Sequence, residues 1–128
     1  MRVPPLAWDG ALAGGAAAYA RQLAATGTFR HSDRRARAGT GENLWMGSAG
    51  AFSPEHMISN WSSEKRLFVR GTFPYVSRSG RWSDVGHYTQ MVWSATTRVG
   101  CGVAQGRGRD VLVCRYAPAG NIDGRRVL

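Results

Sequence analysis

Lysine is nearly missing from this chain: Lys65 stands alone beside sixteen arginines. Acidic residues are also few, eight against seventeen basic ones, which leaves a formal charge of +9. No apolar run approaches the roughly 18 residues that a membrane-spanning helix needs. Met1-Arg-Val-Pro-Pro5 lacks the apolar core of a signal peptide, and no export signal is expected within these residues. There are two cysteines and no Cys-x-x-Cys pair, which argues against thiol redox catalysis and a cysteine zinc site. Helix-turn-helix and zinc-finger spacings are missing as well, so no specific nucleic-acid reader is expected. The arginine excess fits an anionic partner such as nucleic acid, lipid headgroups or cell-wall polymer, or simply a solvated basic surface. Arg30, Arg34, Arg35 and Arg37 cluster without interleaved aromatics and the other arginines are scattered, which favours the solvated surface.

What is present is a folding sequence. Hydrophobic residues make up 43% of 128, enough for one domain with a sizeable core, expected to span residues 1–128. Asp9 is a good N-cap for a first helix running to about Ala25, with Gly27 just beyond it. Leu12, Ala16, Tyr19 and Leu23 give that helix one apolar face, although Gly14 and Gly15 weaken it. Ser53 and Pro54 start a second helix, expected to reach Phe68. Its stripe reads Met57, Trp61, Glu64, Phe68, so a carboxylate occupies an apolar position. Burying it there demands a partner or a cleft. His56 lies on the polar side of the same helix and receives no role.

Residues 71–82 read as loop with at most one short strand. A short helix over Gly86-His-Tyr-Thr-Gln-Met-Val-Trp93 follows, with Asp84 as its expected cap. Val99–Val103 and Val111–Tyr116 form a hairpin around Gly106-Arg-Gly-Arg109. A register that pairs Val103 with Leu112 sets Cys101 directly opposite Cys114, close enough for a disulfide. Two inert buried thiols are the alternative; the bridge is preferred, and with it an oxidising compartment. Pro118-Ala-Gly-Asn121 then turns the chain toward an irregular end.

His31, Glu42 and His87 are weak signals individually. A loop histidine is usually solvent-facing, Glu42 could be a helix-start residue, and His87 could brace its helix. Their grouping comes from resemblance. Gly86–Trp93 followed by Val99-Gly-Cys101 resembles the signature of the CAP superfamily of cysteine-rich secretory, antigen 5 and pathogenesis-related proteins, including bacterial SCP-like extracellular domains. Pro4-Pro-Leu-Ala-Trp8, His31-Ser32, Gly41-Glu-Asn-Leu44, Trp61-Ser-Ser-Glu64 and Cys114–Asn121 match further motifs in family order. The resemblance implies an α+β fold, a three-layer α-β-α sandwich with a small antiparallel sheet between helices. It implies that His31, Glu42, Glu64 and His87 share an open cavity, with His31 and His87 holding a divalent metal, often zinc, in some relatives. Relatives carry more helix before the Pro-Pro-Leu motif, so the first helical layer is expected to be truncated here. A single cysteine pair is more like a bacterial member, and the Gly124-Arg-Arg-Val-Leu128 end lacks the family's usual Pro-Tyr.

Three functions follow as expectations. The favoured one is a secreted, non-enzymatic binding module with a metal-capable His/Glu cleft and a groove for a sterol or fatty acid. Phe52, Met57, Phe73 and Tyr75 are the candidate groove residues, though core packing explains them equally well. The second is a metal-dependent hydrolase with His31 and His87 as ligands and Glu42 or Glu64 as base, although no His-Glu-x-x-His motif or third suitable histidine supports it. The third is a basic extracellular protein on an anionic surface polymer. The sequence does not fix an oligomeric state.

Overall fold

The computed structural model describes residues 5–128, so Met1–Pro4, including the first proline of the Pro-Pro-Leu motif, lie outside the described residues. Four strands form one sheet in the order β1-β3-β4-β2: β1 Ala7–Trp8, β2 Gly41–Ser48, β3 Arg98–Gly106 and β4 Arg109–Ala117. Strand β1 runs parallel to β3, and the other pairings are antiparallel. The β3–β4 hairpin turns through Arg107 and Gly108 at φ 52° and 74°, left-handed conformations that suit a tight two-residue turn. Its register is the expected one. Val103 faces Leu112, and Cys101 faces Cys114, to which it is disulfide-bonded with a Cα separation of 4.1 Å.

Helix α1, Gly10–Thr26, covers one face of the sheet. The Asp9 carboxylate accepts from the amides of Ala11 and Leu12 at 2.9 and 3.0 Å, and Gly27 closes the helix at φ 72°. Ala16, Ala20, Leu23 and Ala24 pack with Leu44, Val111 and Val113 of the sheet. Tyr19 lies at the margin of this cluster, and Leu12 is half-buried. The small residues of α1 answer small residues of β3. A Cβ on Gly100 or Gly102 would run into the backbone of Ala13 or Ala17, so the helix rests directly on the strand. Glycines that weaken each element in isolation here permit close contact between them.

The other face carries α2, Pro54–Ser62, and α3, Gly86–Val92, over a cluster of Met57, Trp61, Leu112, Cys114 and Tyr116. Ser53 caps α2 as expected, accepting from the His56 amide at 3.1 Å. The helix stops at Ser62, short of Phe68, and Ser63–Leu67 continues as a 3₁₀ turn. Hydroxyls of Ser59, Ser62 and Ser63 bond the carbonyls of His56, Ser59 and Asn60 three residues back, a local competition that disfavours regular α-helix. Asp84 does not cap α3. It lies in the 3₁₀ turn Trp82–Asp84 and pairs with Arg81 at 3.4 Å, while the Tyr88 amide in the first turn is taken by Glu64.

Glu42 starts no helix: residues 41–48 are the edge strand β2. Residues 71–82 contain no strand, only isolated bridges that pair Phe68 with Ser77 and Thr72 with Arg126. Phe73, Val76, Val85, Trp93 and Val127 form a third buried cluster, which ties the irregular C-terminal segment to this loop. The helix–sheet–helix layering is the expected α+β sandwich.

Candidate functional site

The start of β2 is the meeting point. Strand alternation sends Glu42 and Leu44 toward the α1 face and Asn43 and Trp45 toward α2 and α3. Glu42 reaches His31, in the loop after α1, whose Nδ1 lies 2.9 Å from Oε1. On the other face His87, in the first turn of α3, places Nδ1 2.8 Å from Glu64 Oε2. Glu64 projects from the 3₁₀ turn after α2 and also accepts from the Tyr88 amide at 3.0 Å. His31, Glu42 and His87 line one cavity of about 610 Å³, and Glu64 supports His87 from behind it.

The two carboxylates have different surroundings. The Glu42 side chain is 0% exposed and sits under two arginines. It accepts from the Ser32 amide and hydroxyl at 3.0 and 2.8 Å and from Arg115 Nε at 3.2 Å, with Arg37 Nε 3.7 Å away. Burial by itself would raise its pKa. Hydrogen bonds from His31 and Ser32 and the charge of Arg37 override burial and hold it at about 2. Glu64 is 17% exposed, and none of the ion pairs of the described residues joins it to an arginine.

The His87 imidazole is held by packing as well as by its carboxylate. His87 stacks on Trp61 with ring centroids 5.6 Å apart and planes 14° from parallel. Asn43, which is buried, donates to the His87 carbonyl at 3.1 Å and to the Tyr116 hydroxyl at 3.2 Å. Burial pushes the Tyr116 hydroxyl pKa well up, which keeps it a neutral partner. Gln90 anchors the adjoining wall, accepting from the Gly120 amide at 2.9 Å and donating to Thr96 at 3.3 Å. A Cβ at Gly41 would strike the Gln90 carboxamide, so glycine is required by close approach.

Family resemblance grouped the four central residues, and nothing in the sequence pointed to their supports. Arg115 lies opposite Glu42 in the β2–β4 register, a pairing invisible until β2 is recognised as a strand. Arg37 belongs to the basic cluster but is largely buried, with Nε donating to Ser32 Oγ at 2.9 Å. Of the groove candidates, Met57 and Phe73 are core residues; Phe52 is partly exposed, between Trp45 and His56, and Tyr75 is 85% exposed. Among the described residues, no group of three or more His, Cys, Asp or Glu side chains is arranged to hold a metal ion. With each Nδ1 bonded to a carboxylate, Nε2 is the nitrogen left to face a ligand.

Residues 1–116 match CAP, the cysteine-rich secretory protein family. The chain belongs to the CAP family. It is 35% identical over 124 residues to pathogenesis-related protein 1C of Nicotiana tabacum, covering 96% of this chain and 69% of that one. Venom allergen 5 of Vespa magnifica is 36% identical over 126 residues, covering 91% of this chain and 52% of the allergen. Among solved structures, a crystal structure of NaASP2 with Zn2+ aligns with a TM-score of 0.78 at 31% identity, over 98% of this chain and 66% of the other. The chain thus spans between half and seven tenths of these CAP proteins, and CAP family members are generally secreted binding or allergen-type proteins. These two relatives are plant and animal proteins, and a bacterial affiliation of this chain stays an expectation.

Proposed function

We propose that this chain is a secreted, non-enzymatic binding domain, expected to be a single CAP unit, that holds a divalent cation, zinc foremost, between His31 and His87. One observation carries the reading: both imidazoles have Nδ1 bonded to a carboxylate, at 2.9 and 2.8 Å, on the walls of the same cavity. A histidine ligand usually has a carboxylate or carbonyl on its other nitrogen, which fixes the tautomer and raises its basicity. The neutral imidazole pair suits zinc by chemistry, and two ligands leave the remaining positions to water or a bound molecule. The crystal structure of NaASP2 with Zn2+ supports zinc as the metal to test first, by likeness.

A bound zinc would supply a Lewis-acid centre, but both carboxylates are already engaged. Glu42 is held as an anion at a pKa of about 2 and its oxygens face His31, Ser32 and Arg115. Both oxygens of Glu64 are likewise engaged, by His87 and by the Tyr88 amide. Proton abstraction favours a base whose pKa lies near the working pH, and Glu42 is far from that. Binding is therefore preferred to hydrolysis. A sterol or fatty-acid groove draws less support, since two of its four candidate side chains are in the core.

Zinc titration by calorimetry at neutral pH tests the reading. The wild type should bind near one equivalent and a His31→Ala/His87→Ala variant should not. Ligation by neutral imidazole also makes binding weaken on acidification. No binding by a folded wild type would reduce the four residues to a structural polar cluster.

A further inference from the structure

Seven of the seventeen basic residues fall in two short stretches, 65–81 and 125–126. The chain brings these stretches together. Phe68 bridges to Ser77, Thr72 bridges to Arg126, and the Phe73 amide donates to the Arg125 carbonyl at 2.8 Å. Arg70 is close enough to act electrostatically on the Tyr88 hydroxyl of α3. All seven are exposed. Arg81 pairs with Asp84, whereas Lys65, Arg66, Arg70, Arg78, Arg125 and Arg126 enter no ion pair among the described residues. Elsewhere Arg98 pairs with Asp9, Arg35 with Asp33, and Arg37 and Arg115 share Glu42, while Arg21, Arg30, Arg34, Arg107 and Arg109 enter no ion pair among the described residues. The fold thus sets six unpaired cations from two distant stretches of sequence beside one another. Uncompensated like charges repel one another, and an external polyanion relieves that cost.

We propose that this face binds an acidic polysaccharide chain. Guanidinium groups match sulfate and carboxylate groups bidentately, and the face is arginine except for Lys65. Tyr75 and Trp82, 85% and 47% exposed, present aromatic rings among the cations against which the apolar face of a sugar can lie. Trp82 also lines the lip of the His31/His87 cavity, so the cationic face adjoins the cleft without sharing its ligands. The disulfide belongs to an oxidising compartment, where acidic glycans are the polyanionic chains at hand. A nucleic acid is disfavoured by that compartment. A bilayer would want several neighbouring apolar side chains, and the stretch offers Val69, Tyr75 and Trp82 diluted among seven cations.

The test uses heparin, a sulfated and carboxylated polysaccharide, with affinity measured by calorimetry across a salt series. The side chains of Arg70, Arg78 and Arg126 form none of the ion pairs of the described residues, so an Arg70→Gln/Arg78→Gln/Arg126→Gln variant should fold, which a thermal melt verifies. It should bind heparin roughly tenfold or more weakly near ~0.15 M salt and lower the log–log salt slope by about 2–3. The control Arg21→Gln/Arg30→Gln/Arg109→Gln removes the same charge elsewhere and should cost no more than about threefold by long-range electrostatics alone. Equal losses in the two variants would overturn the proposal in favour of diffuse charge. Tighter binding to phosphatidylserine vesicles than to heparin, with the same variant sensitivity, would overturn it in favour of a bilayer. A His31→Ala/His87→Ala variant should keep its heparin affinity. Loss there would move the polymer into the cleft and overturn the separate face, whatever the zinc titration shows.

Discussion

Replacing Glu42 by Gln preserves shape and removes the charge, and two routes give the size of the effect. The first is proton linkage. A carboxyl moved from 4.5 to about 2 on folding contributes about 3 kcal/mol at neutral pH, at about 1.4 kcal/mol per pKa unit. The second is charge burial. Arg37 and Arg115 are 11% and 13% exposed, and both would lose their anion. Removing one partner of a buried ion pair costs about 3–5 kcal/mol. The routes agree on about 3–4 kcal/mol, a large share of the roughly 5–15 kcal/mol that holds a domain together. For this size of chain the melting temperature should fall by about 10–15 °C. The folded pKa is depressed, so the contribution is present in full above the unfolded value of 4.5 and is lost as pH falls toward 2. Thermal and urea melts followed by circular dichroism at pH 7, 4.5, 3 and 2 should show the gap between wild type and variant closing across that acid range. A gap under about 1 kcal/mol at pH 7, or one that stays constant down to pH 2, would refute the account of Glu42 as a structural anion.

Other perturbations separate structure from ligand binding. Gly102→Ala should cost about 2 kcal/mol or more in urea melts, because its Cβ meets Ala17 backbone; a neutral result would mean that α1 can lift from β3 freely. Cys101→Ala/Cys114→Ala opens a link across a sequence separation of 13 and should lower stability by about 2–3 kcal/mol at unchanged fold. Stability unaffected by this change would show that the hairpin register holds without the bridge. Glu64→Gln should weaken zinc about 10–100-fold in calorimetry while shifting the melt far less than Glu42→Gln; unchanged affinity would remove Glu64 from the site.

The fold was legible where a local rule dominates. Asp9 and Gly27 bound α1, Ser53-Pro54 opens α2, and the Arg107-Gly108 turn fixes a register that brings the two cysteines together. It was illegible where local and distant partners compete. The Met57–Phe68 stripe continues past Ser62 in sequence, yet serine hydroxyls draw on the same carbonyls that an α-helix needs. Asp84 stands at a fair capping position, but the carboxylate that meets the first turn of α3 comes from Glu64, twenty-four residues from Tyr88. Strand β2 carries no local strand signal, because Gly41-Glu-Asn-Leu44 has no clean alternation. Its residues face two differently built layers, and both sets are buried.

The same reasoning sorts the site itself. Glu64 announced itself as a carboxylate on an apolar stripe, an anomaly that local pattern can reveal. Glu42 produced no anomaly, because the partners that make its burial tolerable lie in other segments: Ser32 and Arg37 before it, Arg115 across the sheet. Only resemblance brought it into the set. The structure then divides two carboxylates that the motif treats alike. Glu42 joins the loop after α1 to β4 through two arginines, and its bond to His31 is one contact among several. Glu64 has two contacts, both in the first turn of α3, so its substitution should perturb His87 with little effect on the frame. Loss of Glu42 should therefore be read in folding, and loss of Glu64 in ligand affinity. If both substitutions instead altered zinc binding equally at unchanged stability, the arginines around Glu42 would be tuning a ligand site and not holding the sandwich together.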